Sequence, residues 1–193
     1  MSSPIQQPPR RHSYSVDDYY RMAETGILRA GDRVELIEGE IIDMAPIGSR
    51  HAAAVNRIGN TLKLGVDTQA IVAIQNPVRL DRYSEPQPDI ALLRPREDFY
   101  ATAHPGPADV LLIIEVADST LRYDRDTKLP LYARHGIPEV WLVDIGNNSF
   151  TIHREPQAAE YAQILTLESL ARIEVPGLVG VTVDLRERNR GQT

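Results

Sequence analysis

Cysteine is absent from the 193 residues of the chain. Disulfide bonds and thiolate metal ligands are therefore excluded, and the composition fits a reducing compartment. The sequence also lacks an apolar run close to the roughly 20 residues that a membrane-spanning helix needs. Its N-terminus is polar and proline-rich, without the apolar stretch of a secretory signal. These absences favour a cytoplasmic protein without a membrane span.

Positive charge is scarce as well, because 21 lysines and arginines stand against 27 aspartates and glutamates and give a formal net charge of −6. This balance argues against a protein that holds nucleic acid on a broad basic surface, so any such contact must be local.

The length is sufficient for one domain with a proper core and short for two. We expect a disordered lead over residues 1–12, one domain over 13–186 and a frayed tail over 187–193.

Local patterns predict the first elements of that domain. Ser15 and Asp18 form a capping box, which predicts a short helix to about Glu24. Two β-type runs then flank Glu38-Gly39, and this dipeptide suits the tight turn of a hairpin.

A second helix is expected after Ser49, because apolar residues recur at helical spacing as far as Gly65 at its exit. A later helix near residues 127–135 contains Pro130, which is tolerated if Asp126 caps the helix and Pro130 lies in the first turn. The remaining apolar runs predict strands over residues 70–80, 89–93, 110–116, 139–144, 150–153, 162–167 and 179–185.

This order of elements predicts a fold of the α/β class in the broad sense. Its helices pack on a sheet of mixed strand direction, which is an α+β arrangement. Short connections favour antiparallel neighbours among the central strands. The helix between Glu115 and Trp141 favours a parallel crossover.

Carboxylates at two strand ends are the candidate chemistry. Glu115 closes an almost continuous aliphatic run of the kind expected for a strand buried on both faces, where an unpartnered charge is costly. Asp89 opens the preceding strand, directly after Pro88. If the two strands are antiparallel neighbours, both carboxylates can share one Mg²⁺ or Mn²⁺ ion. Glu35, in an otherwise apolar strand, is a candidate further acid of the same site.

These residues resemble the PD-(D/E)-x-K nuclease superfamily and, more closely, the Uma-two (Uma2) family of restriction-endonuclease-like proteins. The combination of motifs in one order is more specific than any single motif. The similar segments, which together extend from about Tyr14 to Leu185, are residues 35–40, 87–89, 115–120, 124–128, 132–136 and 138–144.

The resemblance implies a metal-dependent endonuclease that hydrolyses the phosphodiester bonds of nucleic acid, with DNA as the expected substrate. It also implies a homodimer. It implies a restriction-endonuclease-like core with an added N-terminal hairpin and added C-terminal strands. Asp89 and Glu115 would bind Mg²⁺ or Mn²⁺, with Lys128 as electrostatic catalyst and Glu35 as auxiliary acid. The chain departs from the superfamily motif at Ala117, where lysine is expected, and Lys128 in the following helix is the matching position.

Ordinary structural roles remain alternatives for each of these residues. Asp89 and Glu115 could form ion pairs with nearby lysine or arginine at strand ends. Lys128 could be a solvated lysine on a helix, or its partner could be Asp124 or Asp126.

Other residues and a rival function also remain open. His51, at a helix start, is more typical of a polar surface residue than of a ligand or a base. Tyr132 and Trp141 are typical of core aromatic residues. A rival hypothesis is a non-catalytic descendant of the nuclease fold that binds nucleic acid or protein.

Overall fold

The computed structural model describes residues 11–167 and 172–184, so most of the expected N-terminal lead and the whole expected C-terminal tail lie outside the described residues. The helices are α1 (Val16–Glu24), α2 (Ser49–Val66), α3 (Leu121–Tyr123) and α4 (Leu129–Arg134), with a π-helical turn over Asp124–Lys128 and a 3₁₀ turn over Pro107–Asp109. The strands are β1 (Val34–Ile37), β2 (Glu40–Asp43), β3 (Ile71–Ile74), β4 (Ile90–Leu93), β5 (Val110–Ala117), β6 (Glu139–Asp144), β7 (Ser149–Gln157), β8 (Glu160–Leu167), β9 (Arg172–Glu174) and β10 (Thr182–Asp184).

A six-stranded mixed sheet in the order β3-β4-β5-β6-β7-β8 forms the centre of the molecule. Strand β5 is antiparallel to β4 and parallel to β6, and the other neighbours are antiparallel. The predicted mixed sheet and the predicted crossover between Glu115 and Trp141 are therefore confirmed. Strand β3 is shorter than the strand predicted over residues 70–80, because Gln75 takes a left-handed φ of 52° and ends it.

The two predicted N-terminal elements form as expected. Ser15 Oγ accepts a hydrogen bond from the Asp18 amide, and Asp18 Oδ2 accepts one from the Ser15 amide at 3.0 Å. Glu38 and Gly39 have φ values of 49° and 81°. A two-residue type I′ turn requires positive φ at both positions, so this dipeptide closes the β1–β2 hairpin.

Helix α2 covers one face of the sheet with Val55, Ile58 and Leu62, all of which are buried. Its boundaries differ from the prediction, since Gly48 is the N-cap and the helix runs through Gly65 to Val66. A side chain at residue 65 would lie 2.8 Å from a methyl group of Val183. The glycine therefore permits close packing of α2 on β10 and does not mark the end of the helix.

The predicted start of the helix near residues 127–135 is wrong, because helical structure begins at Leu121. Asp126 is not a cap, and Pro130 follows a π-helical turn inside the helix. Proline in a helix lacks an amide donor and its ring contacts the carbonyl of the preceding turn. A wider π turn relieves that contact, which explains how the helix continues through Pro130.

Two apolar clusters flank the sheet. One lies under α2 and includes the fully buried Trp141, whose ring contacts that of Phe150 edge to face at a centroid distance of 5.6 Å. The other lies under α4 and includes Tyr132. No helix in the described part of the chain is long and apolar enough to cross a membrane.

The C-terminal strands agree with the predictions in part. Strands β7 and β8 form as expected, whereas the predicted strand over residues 179–185 begins only at Thr182. Val179 is fully exposed in the turn that precedes it. Leu185 lies outside the described residues, and β9, which pairs with β10, had not been predicted.

Candidate functional site

The antiparallel register of β4 and β5 brings Asp89 and Glu115 together. Ile90 pairs with Ile114, so the residue before β4 lies beside Glu115. The Asp89 amide donates to Glu115 Oε2 at 3.4 Å, and the Val116 amide donates to Asp89 Oδ2 at 2.9 Å. The structure thus has the two carboxylates at neighbouring strand ends, as the sequence analysis expected.

The hairpin adds Glu35 to this pair. Strand β1 bridges to the segment before Asp89, where the Glu85 amide donates to the Leu36 carbonyl at 2.8 Å. The Gln87 amide donates to Glu35 Oε2 at 3.0 Å, and the Tyr123 hydroxyl lies 3.3 Å from Glu35 Oε1. The Glu35 carboxylate therefore points into the protein and does not lie on a solvent-facing edge of the hairpin.

Lys128 lies between two of the acids. Its Nζ is 3.2 Å from Glu35 Oε2 and 3.3 Å from Glu115 Oε1, and its side chain is only 6% exposed. The alternative of a solvated lysine on a helix surface is therefore wrong. Asp126 is exposed, and its carboxylate pairs with Arg125 at 2.7 Å.

Tyr132 is a contributor to the site that the sequence analysis missed. It is fully buried, as expected for a core aromatic residue, but its hydroxyl donates to Glu115 Oε1 at 2.6 Å. The signal available in the sequence was its spacing of four residues from Lys128, because residues four apart on a helix share a face. Lys128 and Tyr132 accordingly approach the same carboxylate.

His51 also lies in the site. Its Nε2 is 2.9 Å from Asp89 Oδ1, and its side chain is 15% exposed, so it is not a solvated surface residue. Gln75 Nε2 donates to the same Asp89 oxygen at 3.3 Å. The hydrogen bond to Asp89 raises the pKa of His51.

The electrostatics of the cluster are dominated by burial and by excess negative charge. Burial raises the pKa of Glu115 to about 8 although Lys128 opposes the shift, and burial also raises the pKa of Asp124. Burial alone would lower the pKa of Lys128, but the neighbouring acids, Glu115 first among them, raise it above its usual value. The lysine is therefore held as an ammonium ion among carboxylates that it cannot fully neutralise.

A cavity of about 460 Å³ opens onto these groups. Asp89, Glu115, Glu35 and Lys128 all border it, so the proposed reactive groups share one solvent-accessible space. Its other polar lining residues include Arg33, Asp43, His51, Gln87, Asp118, Ser119, Thr120, Tyr123 and Asp124.

The donor set of the cavity fits a hard divalent cation. Within the described residues no group of three or more histidine, cysteine, aspartate and glutamate side chains is arranged as a complete metal site. The protein would supply two carboxylates, from Asp89 and Glu115, and Mg²⁺ or Mn²⁺ commonly completes its coordination with water and substrate oxygens. A cation would also offset the surplus of negative charge beside the buried Glu115.

Comparison with known proteins shows the family of the chain and a solved structure of similar fold. Residues 16–186 match the Uma2 family, which is described as "Putative restriction endonuclease". The chain belongs to the Uma2 family. The fold is also similar to a crystal structure of a putative nuclease belonging to DUF820 from Anabaena variabilis, with a TM-score of 0.65, 19% sequence identity and coverage of 84% of this chain and 89% of that one. No curated protein matches the chain.

This Uma2 protein has a nuclease-like fold with one local departure from the superfamily motif. Ala117, at the expected lysine position, is fully buried in the apolar cluster under α4. The ammonium group beside Glu115 comes instead from the π-helical turn.

Proposed function

We propose that this protein is a metal-dependent endonuclease that hydrolyses the phosphodiester bonds of nucleic acid. The proposed substrate is DNA, and the proposed location is the cytoplasm. The observation that carries the proposal is the position of Lys128, buried between Glu35 and Glu115 at the wall of the cavity that Asp89 also borders. Membership of the Uma2 family supports the same reaction class.

Asp89 and Glu115 would hold one Mg²⁺ or Mn²⁺ ion. When bound, such an ion supplies Lewis-acid assistance and neutralises charge on the substrate phosphate. The contacts around the two carboxylates support this assignment, since each is already oriented by the protein. Tyr132 donates to Glu115, and His51 and the Val116 amide contact Asp89 from two sides.

Lys128 would act as the electrostatic catalyst. Its ammonium group stabilises the negative charge that develops on the phosphate in the transition state, because a preorganised cation in a partly buried site is not weakened by bulk water. Glu35, in contact with Nζ, fixes where that cation lies and is the auxiliary acid of the site. Neither residue needs to gain or lose a proton for this role.

The test combines metal binding with cleavage. Wild type should bind Mg²⁺ or Mn²⁺ by calorimetry, gain thermal stability at millimolar metal, and cleave at least one of supercoiled DNA, linear DNA, single-stranded DNA and RNA. Asp89→Asn should lose metal binding, the metal-dependent gain in thermal stability and cleavage. Asp43→Asn is the matched control, because Asp43 borders the same cavity from its exposed rim.

Equal metal-dependent cleavage by Asp89→Asn and wild type contradicts the proposed ligand pair. Binding of nucleic acid without cleavage in any metal favours the non-catalytic alternative.

We also propose that the protein is a homodimer, since two sites related by a two-fold axis serve a duplex cut in both strands. Strand β8 supports this proposal. It lies at one edge of the described sheet, and Ile164 on it is 58% exposed. After Glu160 this edge strand has no charged side chain over residues 161–167, which suits it to pairing with a second copy. A monomeric mass by light scattering at micromolar concentration contradicts it.

A further inference from the structure

The candidate catalytic cavity has two walls of different chemistry. One wall carries the acids and Lys128, and the other is apolar. The apolar side chains come from the end of the β1–β2 hairpin and from the connection between β2 and α2. We call this surface the apolar wall, and its residues are Ile42, Met44, Ala45, Pro46 and Ile47. Sugar and phosphate are contacted by polar and charged groups, so the apolar wall suits another part of the substrate.

The apolar wall lies alongside the proposed reactive groups. Ile42 pairs directly with Glu35 across the hairpin, so the two side chains lie on the same face. At its other end, Ile47 precedes by four residues His51, whose Nε2 is 2.9 Å from Asp89 Oδ1. The wall therefore begins beside one acid of the site and ends close to the histidine that contacts another.

Hydrogen bonds hold the apolar wall in place, although it is not packed into the core. The Met44 amide donates to the Arg33 carbonyl at 2.8 Å, and Arg33 Nη1 donates to the Ala45 carbonyl at 2.7 Å. Met44 is only half-buried, and Ile47 is 42% exposed. A fixed apolar surface that borders a cavity and remains open to solvent is typical of a ligand-binding site.

The part of a nucleic acid that matches this surface is the face of a base. In a paired duplex each base is covered by its stacked neighbours, and a protein reaches only the polar base edges and the backbone. The face becomes available once the nucleotide leaves the stack, and it then packs on aromatic or apolar side chains. Charge favours the same form, because duplex binding depends on many phosphate contacts and this chain has a formal net charge of −6.

From this arrangement we propose that the apolar wall binds the face of one unstacked nucleobase beside the scissile phosphate. The substrate is then a single strand, or a duplex at a point where one nucleotide has left the stack. The inference rests on the proposed nuclease function, because it names the form in which the same site takes its substrate. In a homodimer each copy would take one such nucleotide, so a cut in both strands would require local opening of the duplex.

The first experiment compares three DNA substrates of one sequence in the presence of Mg²⁺ or Mn²⁺. They are the single strand, the fully paired duplex, and the same duplex with one bulged nucleotide. Because a paired base must be taken out of the stack, kcat/KM of wild type should be at least about tenfold lower for the full duplex than for the other two. Cleavage of the bulged duplex should occur beside the bulge.

The second experiment changes the apolar wall at Ile47, whose exposed side chain can be replaced without opening the core. Ile47→Ser should raise KM for the single strand at least about fivefold and change kcat less than about twofold, because a contact equal in ground and transition states affects binding alone. Ile47→Phe should lower KM, since an aromatic ring stacks better on a base. The matched control is Ile27→Ser, because Ile27 is 70% exposed and does not border the cavity. It should leave KM unchanged.

The outcomes separate this inference from the proposed function. Comparable kcat/KM for the single strand and the full duplex, or an unchanged KM in both Ile47 variants, overturns the role of the apolar wall and leaves the nuclease intact. Absence of cleavage of all three DNAs by wild type overturns the proposed function and this inference together. A wild-type dimer that Ile47→Ser converts into a monomer by light scattering identifies a second copy as the occupant and also overturns the inference.

Discussion

The ammonium group of Lys128 lies 3.3 Å from Glu115 Oε1, and both side chains are buried. A second acid, Glu35, contacts the same ammonium group at 3.2 Å. Buried ion pairs gain little over an apolar core of the same volume, although breaking one is costly. An arrangement of this cost beside a solvent-accessible cavity is more typical of a functional site than of a stabilising element.

The first prediction concerns Lys128→Met, which keeps the length of the side chain and removes its charge. Glu35 and Glu115 would lose their shared cation, so the free energy of unfolding should fall by about 3–5 kcal/mol. Cleavage should fall at least about 100-fold, since the transition state loses its cation. Urea denaturation and single-turnover cleavage measure the two effects.

A double variant separates the structural from the catalytic effect of Lys128. Lys128→Met/Glu35→Gln removes one of the two unpaired carboxylates and should regain part of the lost stability, while cleavage stays low. Lys128→Arg should restore cleavage only in part, because a planar guanidinium does not replace a compact ammonium group. Near-wild-type rates in Lys128→Met remove Lys128 from the site.

The second prediction compares two buried tyrosines. Tyr132→Phe removes the donor to Glu115 Oε1, and Tyr161→Phe removes the donor to the Ile137 carbonyl at 2.9 Å. Loss of a bond to a carboxylate should cost about 1.5–3 kcal/mol, and loss of a bond to a neutral carbonyl about 0.5–1.5 kcal/mol. Only Tyr132→Phe should also slow cleavage, by about tenfold, because it releases Glu115. Equal cleavage rates in the two variants contradict the orienting role of Tyr132.

The part of the site that was predictable from sequence depends on strand register. Asp89 opens one apolar run and Glu115 closes the next run along the chain, so antiparallel pairing of the two runs places the carboxylates side by side. His51 and Tyr132 reach these acids from separate helices. Their approach depends on how α2 and α4 pack on the sheet, which short-range patterns do not encode.

The π-helical turn is a second case in which sequence patterns were insufficient. Pro130 indicates that a regular α-helix does not simply continue through this position, and two structural responses were physically open. The helix could start just before the proline, or it could widen ahead of it. The chain widens, and this turn includes Lys128, so the position of the proposed catalyst depends on the less common response.

The third prediction concerns pH and a histidine outside the site. His153 is buried, its Nε2 lies 2.9 Å from Thr151 Oγ1, and burial lowers its pKa. In the unfolded chain the pKa of this histidine is about 6.5. Below that pH the unfolded state therefore binds a proton that the folded state does not. Stability contributed by the neutral histidine is present above about pH 6.5 and is lost as the pH falls towards the lower folded pKa.

His153→Gln should therefore show a smaller loss of stability than wild type between about pH 7.5 and 5.5. Urea midpoints at the two pH values measure the difference. His104→Gln controls for removal of a histidine outside the core, because His104 is exposed. An identical pH dependence in wild type and His153→Gln contradicts the effect of burial.

The last prediction compares two glycines with similar backbone angles. Gly39 has a φ of 81° and Gly26 a φ of 76°, so alanine should cost about 1–2 kcal/mol at either position from backbone strain alone. At residue 39 an added Cβ would also lie 2.5 Å from Ser13 Cβ, whereas at residue 26 nothing lies within 4 Å. Gly39→Ala should therefore be the more destabilising change by thermal denaturation.

The same substitution should affect the candidate site. The Gly39 amide donates to the Tyr83 carbonyl at 2.7 Å, and the Gly39 carbonyl accepts from the Tyr14 amide at 2.9 Å. Because both bonds fix the hairpin that carries Glu35, a displaced turn should move Glu35 away from Lys128 and lower the cleavage rate, which Gly26→Ala should leave unchanged. Equal stability and equal cleavage in the two variants would show that the hairpin adjusts without moving Glu35.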